Sequence, residues 1–589
     1  MIAKASRPLA GRPLFTPSLA LALLASTALA STLARADDDD VHFRPGHLLV
    51  SRAIYDNNAA NVVAGVTQLP PNCAAPNCVT ANASGTYPTV FNNDQVDGSF
   101  GITSKIMLDE LRLDGRPVQS LEVPNSSERG VAPNRDQMVT SFSSKSEIAL
   151  NLSVDSRVVS FMGYLAPIDT IDVSNSNTPD VVDPTNPVTS SYSRVIATVD
   201  EHGHFTFTKT NAYSGNNGRA AILNDHHGSN VFYMAGNAGN GGNPQPNGVI
   251  IGAGAQIATQ AHVPLAQQPD PGMPTPVGSF NVTQLGQKID KIGKDTNFRG
   301  LTVFNNVVYL TKGSGGNGIN TVYFIDTSGF DANHNPLACP SGTGVPSATA
   351  SLPTTPIIYN AAQLQTLGVT PYNMCVLKGF PTNLAKNATA FPFGVWFANA
   401  KTLYVADEGN GTTTYNAATN TFTAAAAQTG AGLQKWVFND ATGGWTLAYT
   451  LQAGLGLGVP YTVQGYPTGN NGLTNLPWSP ATDGLRNITG RVNRDGTATI
   501  WAITSTVSGS GDQGADPNRL VMITDKLAAT TLPAGESFTT ARTARFGEAL
   551  RGVSFTPGTD FDHDVADGRG SCGHDRDRGQ DRNDCRDAD

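Results

Sequence analysis

The chain has 589 residues, and only 14% of them are charged, against about 25% in ordinary soluble proteins. With 61 Gly, 37 Pro and 39% hydrophobic residues, the composition excludes long helices, coiled coils and transmembrane bundles, and favours short strands joined by many turns. A formal charge of −9 argues against a general nucleic-acid or anionic-membrane partner.

Residues 1–36 read as a secretory leader. Lys4, Arg7 and Arg12 precede an apolar run from Leu14 to Leu33, and Ala34-Arg35-Ala36 is a small-x-small cleavage site. The run is too short and too rich in small residues to favour a membrane anchor. Loss of the leader removes four positive charges (Lys4, Arg7, Arg12 and Arg35), taking the net charge from −9 to −13. The expected protein is exported, with no membrane span.

Residues 37–557 carry a repeat of strand groups. Three strands come first: HLLVSRAIY from His47, ITSKIMLDEL from Ile102 and PVQSLEVP from Pro117. Five groups follow, starting at Ser146, Gly218, Phe298, Phe393 and Leu485. Each opens with two apolar strands around a short polar turn, and most add two more, such as LQKWVFND with GGWTLAYTL, or NTVYFID with TPIIYN. Four antiparallel strands per unit make a propeller blade. A last strand, LRGVSFTPG from Leu550, stands alone. Joined to the three N-terminal strands it completes a sixth blade and closes the ring. The expected fold is therefore an all-β, six-bladed β-propeller with long loop insertions at 55–100, 261–278, 327–371 and 409–431. Residues 327–391 leave room for a degenerate seventh blade. Residues 558–589 hold ten Asp and five Arg with few apolar residues, and read as a flexible tail.

Six cysteines, an even number in an exported chain, imply disulfides. Fifteen connectivities are open, and the simplest pairs sequence neighbours: Cys73 with Cys78, Cys339 with Cys375, and Cys572 with Cys585. None has the spacing of a zinc site.

In a propeller, ligands gather at one mouth of the channel, where loops leading into the innermost strands meet those joining second and third strands. Arg219, Arg299, Arg486 and Arg551 hold equivalent positions beside the first strand of four units. Four guanidinium groups at one mouth would bind a carboxylate, phosphate or sulfate, and Tyr213 lies in one of the same loops. The competing reading is structural, with each Arg stapling its blade to the next, and recurrence in register favours it. Asp407 and Glu408 end a strand; with Asn487, Asn297 or Asp483 they offer oxygen donors for Ca²⁺. The plainer reading is a turn-capping Asp and a solvated Glu. His226-His227 and the His202/His204 pair fall in turns, and Trp478 in LPWSP is either a sugar-stacking platform or a buried anchor. There is no GxSxG elbow, P-loop, Rossmann fingerprint or HExxH.

The segment TLYVADEGN, followed after an insertion by LQKWVF, resembles the NHL repeat and the related SMP-30/gluconolactonase propellers, over about one blade. The resemblance implies a divalent metal held by Glu, Asn and Asp at the channel mouth, although the complete ligand set does not align. Two functions follow as expectations. One is an exported, monomeric binding module without a recognisable catalytic set, whose partner is a small anionic ligand, a glycan or a surface protein. The alternative is a metal-dependent hydrolase of the lactonase or esterase type.

Overall fold

The computed structural model describes residues 41–73, 78–124, 138–179, 181, 186–237, 254–261, 277–279, 297–314, 318–325, 343–354 and 374–561. The strands sort into six blades. Blade I runs outward from Glu548–Phe555 through Leu48–Ile54 and Thr103–Leu111 to Pro117–Glu122. The C-terminal strand is thus completed by three N-terminal ones, with Leu48 opposite Phe555 and Ile54 opposite Glu548. Blade II comprises Asn151–Leu152, Val158–Leu165, Arg194–Asp200 and Phe205–Thr210. An additional strand, Met138–Ser141, pairs with both blades I and II and joins them.

Blade III is Gly218–Asn224, Val231–Gly236, Ala255–Thr259 and Val277–Ser279. Blade IV is Leu301–Phe304, Val307–Lys312, Thr321–Ile325 and Met374–Leu377, with Thr343–Gly344 added in parallel at its edge. Met374–Leu377 occupies the outer position expected for TPIIYN, which lies outside the described residues. The short strands of the 327–391 stretch therefore extend blade IV. Blade V is Pro392–Asn399, Thr402–Asp407, Gly432–Asn439 and Gly444–Leu451; blade VI is Ala481–Val492, Thr497–Val507, Arg519–Lys526 and Thr539–Thr543. No helix among the described residues is long and apolar enough to cross a membrane. The leader and all but the first residues of the tail lie outside the described residues.

The burial pattern follows from this layout. Gly218–Asn224, Val231–Gly236, Val307–Lys312 and Thr402–Asp407 are buried at every position, because both faces of an inner strand meet a neighbouring blade. That is why they read as unbroken apolar runs rather than alternating ones. The core is accordingly a set of layers between blades. Ile222 and Tyr233 of blade III pack with Leu310 and Tyr323 of blade IV, and Leu433 and Tyr449 of blade V with Ile500 and Ile523 of blade VI. Blades V and VI also share a fully buried ion pair, Lys435 Nζ to Asp525 Oδ2 at 2.9 Å, to which Tyr449 adds a hydrogen bond of 2.7 Å. The closing blade has its own clamp. Arg52 reaches Asp109 at 2.7 Å and Glu548 at 2.7 Å, while Arg542 of blade VI meets Asp109 at 3.0 Å.

The six innermost strands touch in succession around a closed ring. Glycine permits this approach. A Cβ on Gly394 would lie 2.6 Å from the Arg486 carbonyl oxygen, and one on Gly552 would lie 2.6 Å from the Ile148 oxygen and 2.5 Å from the Leu150 nitrogen; one on Gly300 would strike the Phe393 oxygen. In each case the obstacle is the backbone of the next blade's inner strand. The recurring glycine that follows Arg or Phe at the strand starts is therefore a packing requirement of the ring. Gly394→Ala should destabilise the protein by about 1–3 kcal/mol, read as a lower guanidinium midpoint. Gly472→Ala, where the added carbon meets open space, should stay within about 0.5 kcal/mol. Equal midpoints for the two variants would contradict this packing.

Candidate functional site: a cation cluster at the channel mouth

Loops leading into the inner strands and loops joining second to third strands enclose a cavity of about 430 Å³. Asp94, Ser99 and Phe100 come from the 55–100 insertion of blade I. Ser144, Lys145 and Ser146 lead into blade II, and Asn216, Asn217 and Arg219 into blade III. Arg299 comes from blade IV, and Asp512 and Gln513 from blade VI. Six serines contribute to the wall, whereas Phe100 is its only apolar side chain. Among the described residues that is a hydrophilic, hydroxyl- and amide-rich surface, rich in donors and acceptors for a polar ligand.

The four register-related arginines are all buried. Arg219 donates to the Phe298 carbonyl at 2.7 Å and to Asn297 Oδ1, so it does staple blade III to blade IV. Arg299 donates to Ser146 and Ser314 and lies 3.5 Å from Glu408. Arg486 approaches the other oxygen of Glu408 at 3.4 Å. Arg551 donates to the Phe142 carbonyl. Two of the four, Arg219 and Arg299, border the cavity. Lys145 joins them there, and among the described residues it has no hydrogen bond or ion pair.

Burial is the largest influence on these charges. It pulls Arg219 and Arg299 below their ordinary values, with Arg299 and Arg486 respectively adding repulsion. It lowers Lys145 too; Glu408 opposes, and Arg486 and Arg299 reinforce. Burial would raise Glu408, yet Arg299, Arg486, Lys145 and Arg219 together hold it below the usual carboxylate range. The cavity's own acids move the other way. Burial, then repulsion from Asp512, raises Asp94 to about 7. Burial also raises Asp512, against the pull of Lys145. Asp94 is therefore partly neutral near pH 7, while the guanidinium groups of Arg219 and Arg299 keep their charge.

Other candidates lie elsewhere. Tyr213 is not on the cavity. It is 1% exposed, sits in the core between blades II and III, and donates to the Gly254 carbonyl at 3.1 Å. Its ring fills the space beside Gly218 and Gly236. Asp407 accepts from the Phe391 and Gly409 amides at 2.7 and 3.0 Å. Asn487 donates to the Arg551 carbonyl at 2.8 Å, and Asp483 accepts from the Gly411 amide and the Gln428 side chain. Trp478 is buried with Tyr87 and Tyr466 beneath the insertion. His226 and His204 are exposed and contact Asp155 and Asp200. Cys73 and Cys78 form a disulfide. Cys375 is also disulfide-bonded; Cys339, Cys572 and Cys585 lie outside the described residues.

These residues do not fit a divalent metal. Among the described residues no group of three or more His, Cys, Asp or Glu converges. The one firmly ionised candidate, Glu408, is flanked by Arg299 and Arg486, which would repel a second cation. Lys145, Asp94, Ser99 and Asp512 carry no motif, and only their convergence in three dimensions marks them.

No family model and no curated protein matches the chain. Among solved structures, it is similar to a mutant of Synechocystis apocarotenoid oxygenase at 10% identity, covering 77% of this chain and 59% of that one, with a TM-score of 0.19. It is similar also to extracellular domains 1–2 of Drosophila Semaphorin 1a at 10% identity, covering 73% of this chain and 84% of that one, with a TM-score of 0.23. The chain thus spans about three-fifths of the length of the oxygenase. Likeness at these TM-scores carries no inference about chemistry.

Asp172 opens the short turn that carries Ser174 and Asn175 into the cavity wall. One of its oxygens accepts from the Gly101 amide at 2.9 Å; the other is buried with no partner among the described residues. Burial, with repulsion from Asp97, raises it to about 8. A carboxyl raised on folding stabilises the native state at low pH, and that contribution fades as pH climbs through the folded value. Melting temperature should therefore fall between about pH 4 and pH 8, and less steeply in Asp172→Asn. Identical slopes for the two proteins would contradict the assignment.

Proposed function

We propose that this chain is an exported propeller that binds a small, strongly polar carboxylate or similar oxyanion at the mouth of its central channel. The observation that carries the reading is the convergence of Lys145, Arg219 and Arg299 on one serine- and asparagine-lined cavity, with Lys145 lacking a protein partner among the described residues. A half-buried primary ammonium beside two guanidinium groups favours an anion that bridges them. The hydroxyl and amide wall suits a ligand with several hydrogen-bonding groups, such as a sugar acid or hydroxy-acid, better than an apolar one. Export is supported by the leader pattern in residues 1–36 and by the Cys73–Cys78 disulfide, which belongs to an oxidising compartment. The metal-hydrolase alternative has no cluster of three or more His, Cys, Asp or Glu to support it among the described residues.

Lys145 offers the cleanest test, because its removal breaks no internal bond among the described residues. Sulfate, phosphate, citrate and glucuronate would be screened by thermal shift at low ionic strength, and any hit titrated by calorimetry. At least one carboxylate should raise the melting temperature. Lys145→Met should keep the wild-type melting temperature without ligand and weaken binding by about 10- to 100-fold, as for loss of a charged hydrogen bond. A screen without hits, or equal affinity in the variant, would refute the proposal.

A further inference from the structure

A second charge problem lies at a residue outside the cavity lining. Arg551 does not border the cavity and is 1% exposed. Its Nη2 donates to the Phe142 carbonyl, but Nε and Nη1 are buried without a partner, and no carboxylate lies within ion-pairing distance, among the described residues. Its charged neighbour on the ring is Arg486, another cation. The acids within electrostatic reach, Glu147 and Asp512, are already committed, and Glu408 is taken by Arg299 and Arg486. Glu147 accepts from Tyr164, from Thr140 at 2.8 Å and from the Ser141 amide at 2.8 Å, and burial pushes it toward its neutral form. Asp512 accepts from the Gly514 amide at 2.8 Å and is raised likewise. Burying an ion with neither counter-charge nor full hydrogen bonding costs several kcal/mol, and a buried guanidinium stays protonated at neutral pH.

We infer that Arg551, beside Arg486, holds a small monovalent anion of chloride size inside the channel. The charge deficit is about one, the orphaned donors are N–H groups of one guanidinium, and the place is set apart from the open cavity. Each feature selects a compact, singly charged ion over a polyatomic ligand. Arg551 and Arg486 do not line the cavity proposed for the oxyanion, so either proposal can fail alone.

The test is a sodium chloride titration of the melting temperature from a chloride-free, low-salt buffer. The wild type should show a saturable rise of about 2 °C or more. Lys145→Met should keep this rise, and Arg551→Gln should lose it. If Arg551→Gln fails to fold, wild-type crystals soaked in sodium bromide decide the matter: an anomalous peak in contact with Arg551 Nε or Nη1 is expected. A saturable response that persists in Arg551→Gln, a response lost in Lys145→Met instead, or no bromide peak at Arg551 would each overturn the inference.

Discussion

Backbone contact between successive inner strands is the constraint from which the rest of this molecule follows. Six strands, each leaning on the next, make a ring too tight for side chains at certain positions, and Gly300, Gly394 and Gly552 occupy three of them. The same register puts Arg299 directly before one of these glycines and Arg551 before another. Repetition of a packing solution thus brings several guanidinium groups close together, whether or not each blade benefits.

Such convergence has consequences for charge. Arg219 donates to a strand-end carbonyl of the next blade, which is the structural role expected of a repeated staple. Arg299 and Arg486 share Glu408, brought in at the end of a blade V strand and held ionised by them. With Lys145 and Arg219 added, four cations act on this one carboxylate. Asp94, Glu147 and Asp512 are instead pushed toward protonation by burial. Structural and ligand-binding roles for the arginines are therefore compatible: stapling consumes some N–H groups and leaves the net charge for a ligand.

The fold was legible in the sequence because its signals are local. Fully buried inner strands appear as apolar runs, hairpins as polar turns between them, and ring closure as one strand at the C terminus matched by three at the N terminus. Met138–Ser141 escaped because four residues of mixed polarity give no period. The outer strand of blade IV was misplaced for a related reason: TPIIYN and Met374–Leu377 are both short apolar segments, and only pairing distinguishes them. The site was half legible. Repetition exposed the arginines, but Lys145, Asp94 and Ser99 have no counterpart in other blades, and their loops have no period. Tyr213 shows the opposite limit, since a loop position does not reveal that its ring packs inward against two glycines.

The most direct measurement is an electron-density map of the protein crystallised with the best carboxylate from the screen. The account predicts density for that anion bridging Lys145 Nζ and the Arg299 or Arg219 guanidinium, with its remaining polar groups on the serine and asparagine wall. Lys145 folded back onto Asp512, with no anion between the cations, would contradict it.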